Sequence, residues 1–374
     1  MSARLLFLCL FFFNVAFAQT NANLLIGTYT SGKSEGIYVY AFNTETGDSK
    51  KLSSIQTPNP SYLAVSPDQK IVYAVAETDE AKKEGTGGAI SAFSFNHANG
   101  SLNLINQQFS QGKNPCYVSV DKTGKWVFAG NYSSGSAVLF PVRADGGLET
   151  AKQVLQDKGT GPNKDRQKGP HVHSTVLSPD NKFLFTPDLG LDKVMIYRFD
   201  EKNGTLSPAA TPFAASVPGS GPRHFDFHPH KKYAYLIEEM SGTVVVFKYK
   251  KGKLTPIQRT TTLPTNFKGV IGSADIHVSP DGKFLYASNR GESNTIAVFS
   301  IDAKTGKLTA IGHQSTMGKT PRNFNFDPRG NFLLVANQNS DDIVIFKIDR
   351  KTGMLADTGK RINVPNPVCI KWIQ

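Results

Sequence analysis

Apolar and polar residues trade places for about five positions, a Pro-Asp-Gly-like turn follows, and a second run rich in aromatics begins. A period of two predicts half-buried β-strands, and no stretch of useful length carries the 3.6-residue apolar period of a helix. One such unit reads NPSYLAVSPDQKIVYAVAE from Asn59. It recurs from Asn114, Gly169, Gly221, Gly272 and Thr320, with a truncated copy, NPVCIKW, from Asn366. Spacings of 46 to 55 residues between these starts are those of propeller blades.

The second half of each repeat gives an independent count. A third strand such as GAISAFSF runs into a glycine-marked turn and a fourth strand, and turns of the type NHANGSLNL, EKNGTLSPA and AKTGKLTAI occur seven times. Asn99-Gly100 and Asn203-Gly204 are strong hairpin signals. The last repeat holds only a first strand, whereas NLLIGTYT, GIYVYAF and KKLSSIQ near the N-terminus read as second, third and fourth strands. The expected fold is therefore all-β: a seven-bladed β-propeller with four antiparallel strands per blade, closed into a ring by a blade shared between the two ends. Closure removes two strand edges that would otherwise invite association.

Residues 1–18 carry one basic residue, Arg4, an apolar run from Leu5 to Phe13, and Ala16-Phe17-Ala18, the pattern of a secretory signal with an A-x-A cleavage site. The expected mature chain, residues 19–374, is one propeller domain in the periplasm or secreted, without membrane insertion, as a monomer or weak dimer. Its length exceeds the usual single-core limit of about 250 to 300 residues, which a repeat architecture resolves. Only Cys116 and Cys369 remain after cleavage; they fall in non-neighbouring repeats and are expected to be buried and reduced. The formal net charge of +12 suits anionic small molecules, acidic polysaccharide, a membrane surface or nucleic acid, but no run of five like charges occurs, so it reads first as a dispersed solvated surface, and no nucleic-acid-binding module is present.

Aligning the first strands on their turn places His173, Arg223 and Arg322 in one column with Ser61, Cys116 and Ala274. Aligning the second strands places Glu77, Glu239, Arg290 and Gln338 in another, with Tyr29, Tyr132 and Leu189; the column before it holds Asp188, Glu238, Asn289, Asn337 and Asn131. The start of a first strand and the end of a second lie on the same face of the disc. His173, Arg223, Glu239 and Arg290 thus converge from adjacent blades at one channel mouth, as the polar groups of a ligand pocket do. Arg322 and Asp188, from these columns, are candidate substrate contacts. The loop Asp157–His173 leads over the same face and adds Arg166 and Gln167.

No HExxH, EF-hand or Cys/His cluster indicates a metal, and no P-loop, dinucleotide fingerprint or G-x-S-x-G elbow indicates a cofactor or a serine nucleophile. At most one of His171 and His173 is expected to face the channel. His224, His228, His230 and His277 read as structural or solvated.

Taken together, GPHVHSTVLSPDNKFLFTPDLGLD, GPRHFDFHPHKKYAYLIEE and SADIHVSPDGKFLYASNRG resemble the seven-bladed propeller lactonases, which include bacterial 6-phosphogluconolactonases and fungal carboxymuconate lactonising enzymes. The resemblance covers essentially the whole mature chain. It implies hydrolysis of a sugar lactone, anionic in the phosphorylated case, without metal or cofactor, and it implies roles for His173, Arg223, Glu239 and Arg290. A lactonising cycloisomerase using the same four residues, or a non-catalytic propeller binding sugar or protein, are the alternative readings. Export separates this chain from a cytoplasmic phosphogluconate enzyme and leaves a periplasmic aldonolactone as an equal expectation.

Overall fold

The structure, a computed structural model, describes residues 20–79 and 87–374; the expected signal segment lies outside the described residues. Twenty-eight strands form seven four-stranded antiparallel sheets, and the one helical segment among the described residues is a single 3₁₀ turn, Gln338–Ser340. Six sheets are contiguous in sequence. In the seventh, numbered blade 1, the C-terminal strand Pro367–Ile373 lies innermost and pairs antiparallel with Asn21–Thr28, followed by Gly36–Asn43 and Ser49–Gln56. The chain is thus an all-β, seven-bladed propeller closed by its own ends.

Burial follows strand order. Second strands such as Trp126–Asn131 and Phe332–Asn337 are buried at every position, because the sheets of neighbouring blades cover both of their faces, while outer strands such as Ser49–Gln56 hold only exposed and half-buried residues. The blade-to-blade contacts are apolar: Leu334 and Ile345 of blade 7 pack with Leu24, Ile26 and Ile370 of blade 1. Burying such side chains contributes roughly 1.5 to 3 kcal/mol each.

One recurring device explains the NP, GP and TP openings. Asn59, Asn114, Gly221, Thr320 and Asn366, each preceding a proline, all adopt left-handed backbone with φ between 40 and 68°. Asn and Gly tolerate that region, and it kinks the chain from the radial linker into the channel wall. The inner strand then bulges. Pro222 pairs with Glu238 and His224 with Ile237, leaving Arg223 as an extra residue; Cys116 and Arg322 occupy the same place in blades 3 and 7. In blade 4 the inner strand shrinks to Val176–Leu177 plus an isolated bridge from Val172 to Asp188, so His173 lies outside regular sheet.

Candidate active site

The residue after each second strand donates its amide N–H to the carbonyl of the residue that opens the blade, and this bond recurs in all seven blades. Tyr29 bonds Asn366, Glu77 bonds Asn59, Tyr132 bonds Asn114, Leu189 bonds His171, Glu239 bonds Gly221, Arg290 bonds Gly272 and Gln338 bonds Thr320, at 2.7 to 3.1 Å. These seven residues are the aligned column, fixed at one mouth of the channel. Facing them are the bulge residues, whose extra backbone unit turns their side chains into the opening.

Glu239 is the centre. Its Oε2 accepts from Arg223 Nε at 2.9 Å and lies 3.0 Å from an Arg290 guanidinium nitrogen, while Oε1 accepts from Arg166 at 2.7 Å. His173 Nε2 lies 3.9 Å from Oε2. Three blades and one loop therefore meet on a single carboxylate. Arg223, only 1% exposed, is pinned again by the Ala274 carbonyl at 2.6 Å, and Arg290 by those of Gly272 and Ser273.

Burial works against the Glu239 carboxylate, but the charges of Arg290 and Arg223, with His173 and Arg166, outweigh it and hold its pKa well below the ordinary value. Burial, reinforced by Arg223, holds His173 well below the usual imidazole range, so the ring is neutral around pH 7. The same burial pushes Arg290 down to about 10, still protonated.

On the opposite rim Tyr29 donates to Glu77 at 2.9 Å, and Ser61 donates to the same oxygen. Arg322 sits over the Tyr29 ring, 5.3 Å from its centre, and makes no hydrogen bond to any described residue. Four guanidiniums, from Arg166, Arg223, Arg290 and Arg322, thus share the mouth with two carboxylates.

Not every candidate joins the cluster. Gln167 is buried inside its own loop, donating to the Leu189 carbonyl and accepting from Asn163 N–H. Asp188 is fully buried and accepts from the amides of His171 and Leu191. It belongs with Asn131, Asn289 and Asn337, which tie their blade to the preceding outer strand through the carbonyls of Ser110, Thr262 and Thr316. That column is therefore a fastening beneath the rim. His171 stacks on Tyr132 at 4.5 Å with its Nδ1 2.9 Å from the Tyr132 carbonyl, whereas His173 meets the same ring edge-on at 5.3 Å and reaches Glu239.

The loop Asp157–His173 seats on blade 4 so closely that a Cβ on Gly190 would lie 1.9 Å from the Gly169 carbonyl oxygen. This contact carries Arg166 over the mouth.

Two neighbouring groups, His224 and Asp275, were not among the candidates. His224, the residue after the bulged Arg223, also points into the channel, where its ring centre lies 5.3 Å from that of His173 and its Nδ1 lies 2.7 Å from Asp275 Oδ1. Strict alternation sends consecutive residues to opposite sides, and the signal that would have found His224 is the bulge.

Residues 23–372 match the family model described as lactonase, 7-bladed β-propeller. The chain is 36% identical to a 6-phosphogluconolactonase of Bacillus subtilis (strain 168), over 93% of this chain and 97% of that protein. It is 40% identical to a 6-phosphogluconolactonase of Formosa agariphila, over 93% and 96% respectively. Among solved structures, the periplasmic gluconolactonase of Pseudomonas aeruginosa superposes with a TM-score of 0.89 at 39% identity, covering 95% of this chain and 99% of that one.

Proposed function

The chain belongs to the seven-bladed β-propeller lactonase family and is a hydrolase of sugar lactones, and from that premise we propose that the Glu239-centred cluster opens an anionic aldonolactone by directing water onto its ester carbonyl. The observation that carries the substrate's charge is the excess of four guanidiniums over two carboxylates at one channel mouth.

Hydrolysis needs a base for the attacking water, a stabiliser for the tetrahedral oxyanion and a proton for the leaving alkoxide. Glu239 has both oxygens engaged by guanidiniums and a depressed pKa, which makes it the organiser of the arginines instead of the base. The base is then His173, neutral before reaction, whose imidazolium is stabilised by Glu239 as it forms. The proton taken from water returns to the ring oxygen as the C–O bond breaks. Arg223 and Arg290, held by main-chain carbonyls, support the oxyanion, and Arg322 with Arg166 meets the anionic group of the substrate.

The pattern of residues 1–18 and the similarity to a periplasmic gluconolactonase support an exported enzyme acting on a periplasmic aldonolactone. N-terminal sequencing of the mature protein, expected to begin at Gln19, tests the export.

Hydrolysis assays on glucono-δ-lactone and its 6-phosphate, with Arg223→Ala, Glu239→Gln and His173→Ala beside wild type, test the assignment. Loss by Arg223→Ala restricted to the phosphorylated substrate makes Arg223 a charge anchor, and uniform loss makes it an oxyanion stabiliser. Full activity of both Glu239→Gln and His173→Ala on every lactone turned over by wild type overturns the site.

A further inference from the structure

The ring of His173 makes a single hydrogen bond, a weak one to sulfur. Its Nδ1 lies 3.7 Å from Cys116 Sγ, while its Nε2, 3.9 Å from Glu239, is beyond the roughly 2.7 to 3.2 Å of an N–H···O bond. Packing orients it instead, between Tyr132 at 5.3 Å and 74° and His224 at 5.3 Å and 73°. His224 is itself rigidly held. Its ring stands edge-on to Tyr62 and Tyr117, which stack on each other 4.0 Å apart, and its Nδ1 donates to Asp275 at 2.7 Å.

Asp275 is 1% exposed and gathers three blades. Besides His224 of blade 5 it receives His277 Nε2 at 3.1 Å from its own strand and Asn323 Nδ2 from blade 7. Burial works against its charge, yet His277 and His224 hold its pKa well below the ordinary value. It is thus an ionised carboxylate beside the site; Arg223, bonded to the neighbouring Ala274 carbonyl, also feels its charge, and Asp226 and Lys371 act on its partner His277.

That placement matters for charge. A protonated His173 faces Arg223, Arg322 and the neighbouring His224 ring against Glu239, and Glu239 is shared by three guanidiniums. Asp275 adds a further carboxylate one ring away, through His224.

We propose that His224 and Asp275 form the positioning pair for His173: His224 sets the orientation of the catalytic ring, and Asp275 supplies the negative charge that supports its proton uptake. The proposal rests on the reading of His173 as the base. Asp275 takes no proton; the proton moves from water to His173 and back to the leaving alkoxide, and Asp275 remains the acceptor of the His224 N–H throughout, as the carboxylate does behind a hydrolase histidine.

The test uses the mature protein with Asp275→Asn, which keeps the shape and an acceptor oxygen, and His224→Gln, which leaves the buried carboxylate in place. Each is expected to lower kcat about 10- to 100-fold with KM within about twofold, the range of general acid–base effects being 10²–10⁴. Loss of the Asp275 charge makes His173 a weaker base, so the acid limb of the kcat–pH profile moves to lower pH in Asp275→Asn. The double variant is expected to be no worse than the poorer single one, because the pair acts as a unit. A merely structural role would change the folded fraction without moving the limb. If Asp275→Asn does not fold, kcat and KM of His224→Gln decide alone. A kcat within twofold of wild type in the folded variants, an unmoved limb, or multiplicative losses in the double variant overturn the proposal. Should His173→Ala instead retain wild-type kcat, the reading of His173 as base fails, and that outcome is distinct from inactive His173→Ala beside wild-type-like Asp275→Asn and His224→Gln.

Discussion

Arg223 donates its Nε–H to Glu239 Oε2 at 2.9 Å, and both side chains are almost wholly withdrawn from water. A pair this buried holds little net stability for its isolation cost, but removing one partner leaves the other charge uncompensated, at about 3 to 5 kcal/mol. Glu239→Gln strands Arg223 and Arg290 together, so thermal unfolding of that variant at pH 7 is expected well below wild type. The pH dependence has a definite sign. The folded-state pKa of Glu239 lies below its ordinary value of 4.5, so its contribution is present above that pH and is lost as pH falls through the folded-state pKa. The gap in Tm between wild type and Glu239→Gln should therefore narrow below about pH 4.5. A gap that stays constant down to pH 3 would show that the carboxylate charge is not what the arginines require.

Arg322 is the guanidinium without a hydrogen bond to any described residue, although it lies on the Tyr29 ring in the site rim. A donor left open in a mostly buried setting is available to a ligand at no cost in broken contacts. Arg322→Ala is expected to raise KM for a phosphorylated lactone about 10- to 100-fold, the equivalent of one charge-assisted hydrogen bond of roughly 1.5 to 3 kcal/mol, and to leave KM for the neutral lactone within about threefold. Steady-state kinetics on the matched pair of substrates reads this directly. Equal losses on both would remove Arg322 from the role of charge anchor.

How far the sequence reached depended on what each repeat repeats. Seven blades and their closure were legible because period-two runs and glycine turns report strand number without any side-chain geometry. The column Tyr29, Glu77, Tyr132, Leu189, Glu239, Arg290 and Gln338 was legible for the same reason, and one backbone hydrogen bond now ties it together in every blade. Asp188 was misjudged because its column points beneath the rim, and column membership gives a position but no direction. His224 and Asp275 were missed because a bulge breaks alternation at Arg223 and again between Ser273 and Ile276, and nothing in residue identity marks the inserted residue.

Arg166 reaches the site from the only long loop over the mouth that the sequence singled out, and one of its nitrogens bonds both Glu239, at 2.7 Å, and Tyr132 Oη, at 3.2 Å. Its side chain is 45% exposed, so the ion pair is partly screened and contributes little to stability. Arg166→Ala is expected to leave Tm within about 2 °C of wild type while raising KM for anionic lactones several-fold. The same KM should rise with ionic strength in wild type and rise less steeply in the variant, since screening acts on exposed charges first. A large fall in Tm would instead make the loop a structural strap.

Asp188 and Asp157 supply the opposite sign of pH dependence. Each has one buried carboxyl oxygen, Oδ2, without an accepted hydrogen bond, and the two carboxyls are neighbours beneath the loop that runs from Asp157 to His173. Burial pushes Asp188 up to about 8, with Asp157 adding to the shift, and burial raises Asp157 as well. A folded-state pKa above the unfolded value gives stability that is fully present below about pH 4 and is lost as pH rises towards 8. The three blades that carry Asn131, Asn289 and Asn337 at the same position meet the need with an amide that donates to the neighbouring loop and does not titrate. Asp188→Asn is accordingly expected to stabilise the protein at pH 8 by on the order of 1 kcal/mol, about 2 °C in Tm, because an amide can donate to Asp157 where an ionised carboxylate repels it. At pH 5, where the acid pair already holds a proton, the advantage should shrink towards zero. Scanning calorimetry of both proteins at the two pH values checks this, and a variant less stable than wild type at pH 8 would mean that the aspartate is retained for the two amide N–H groups that donate to it.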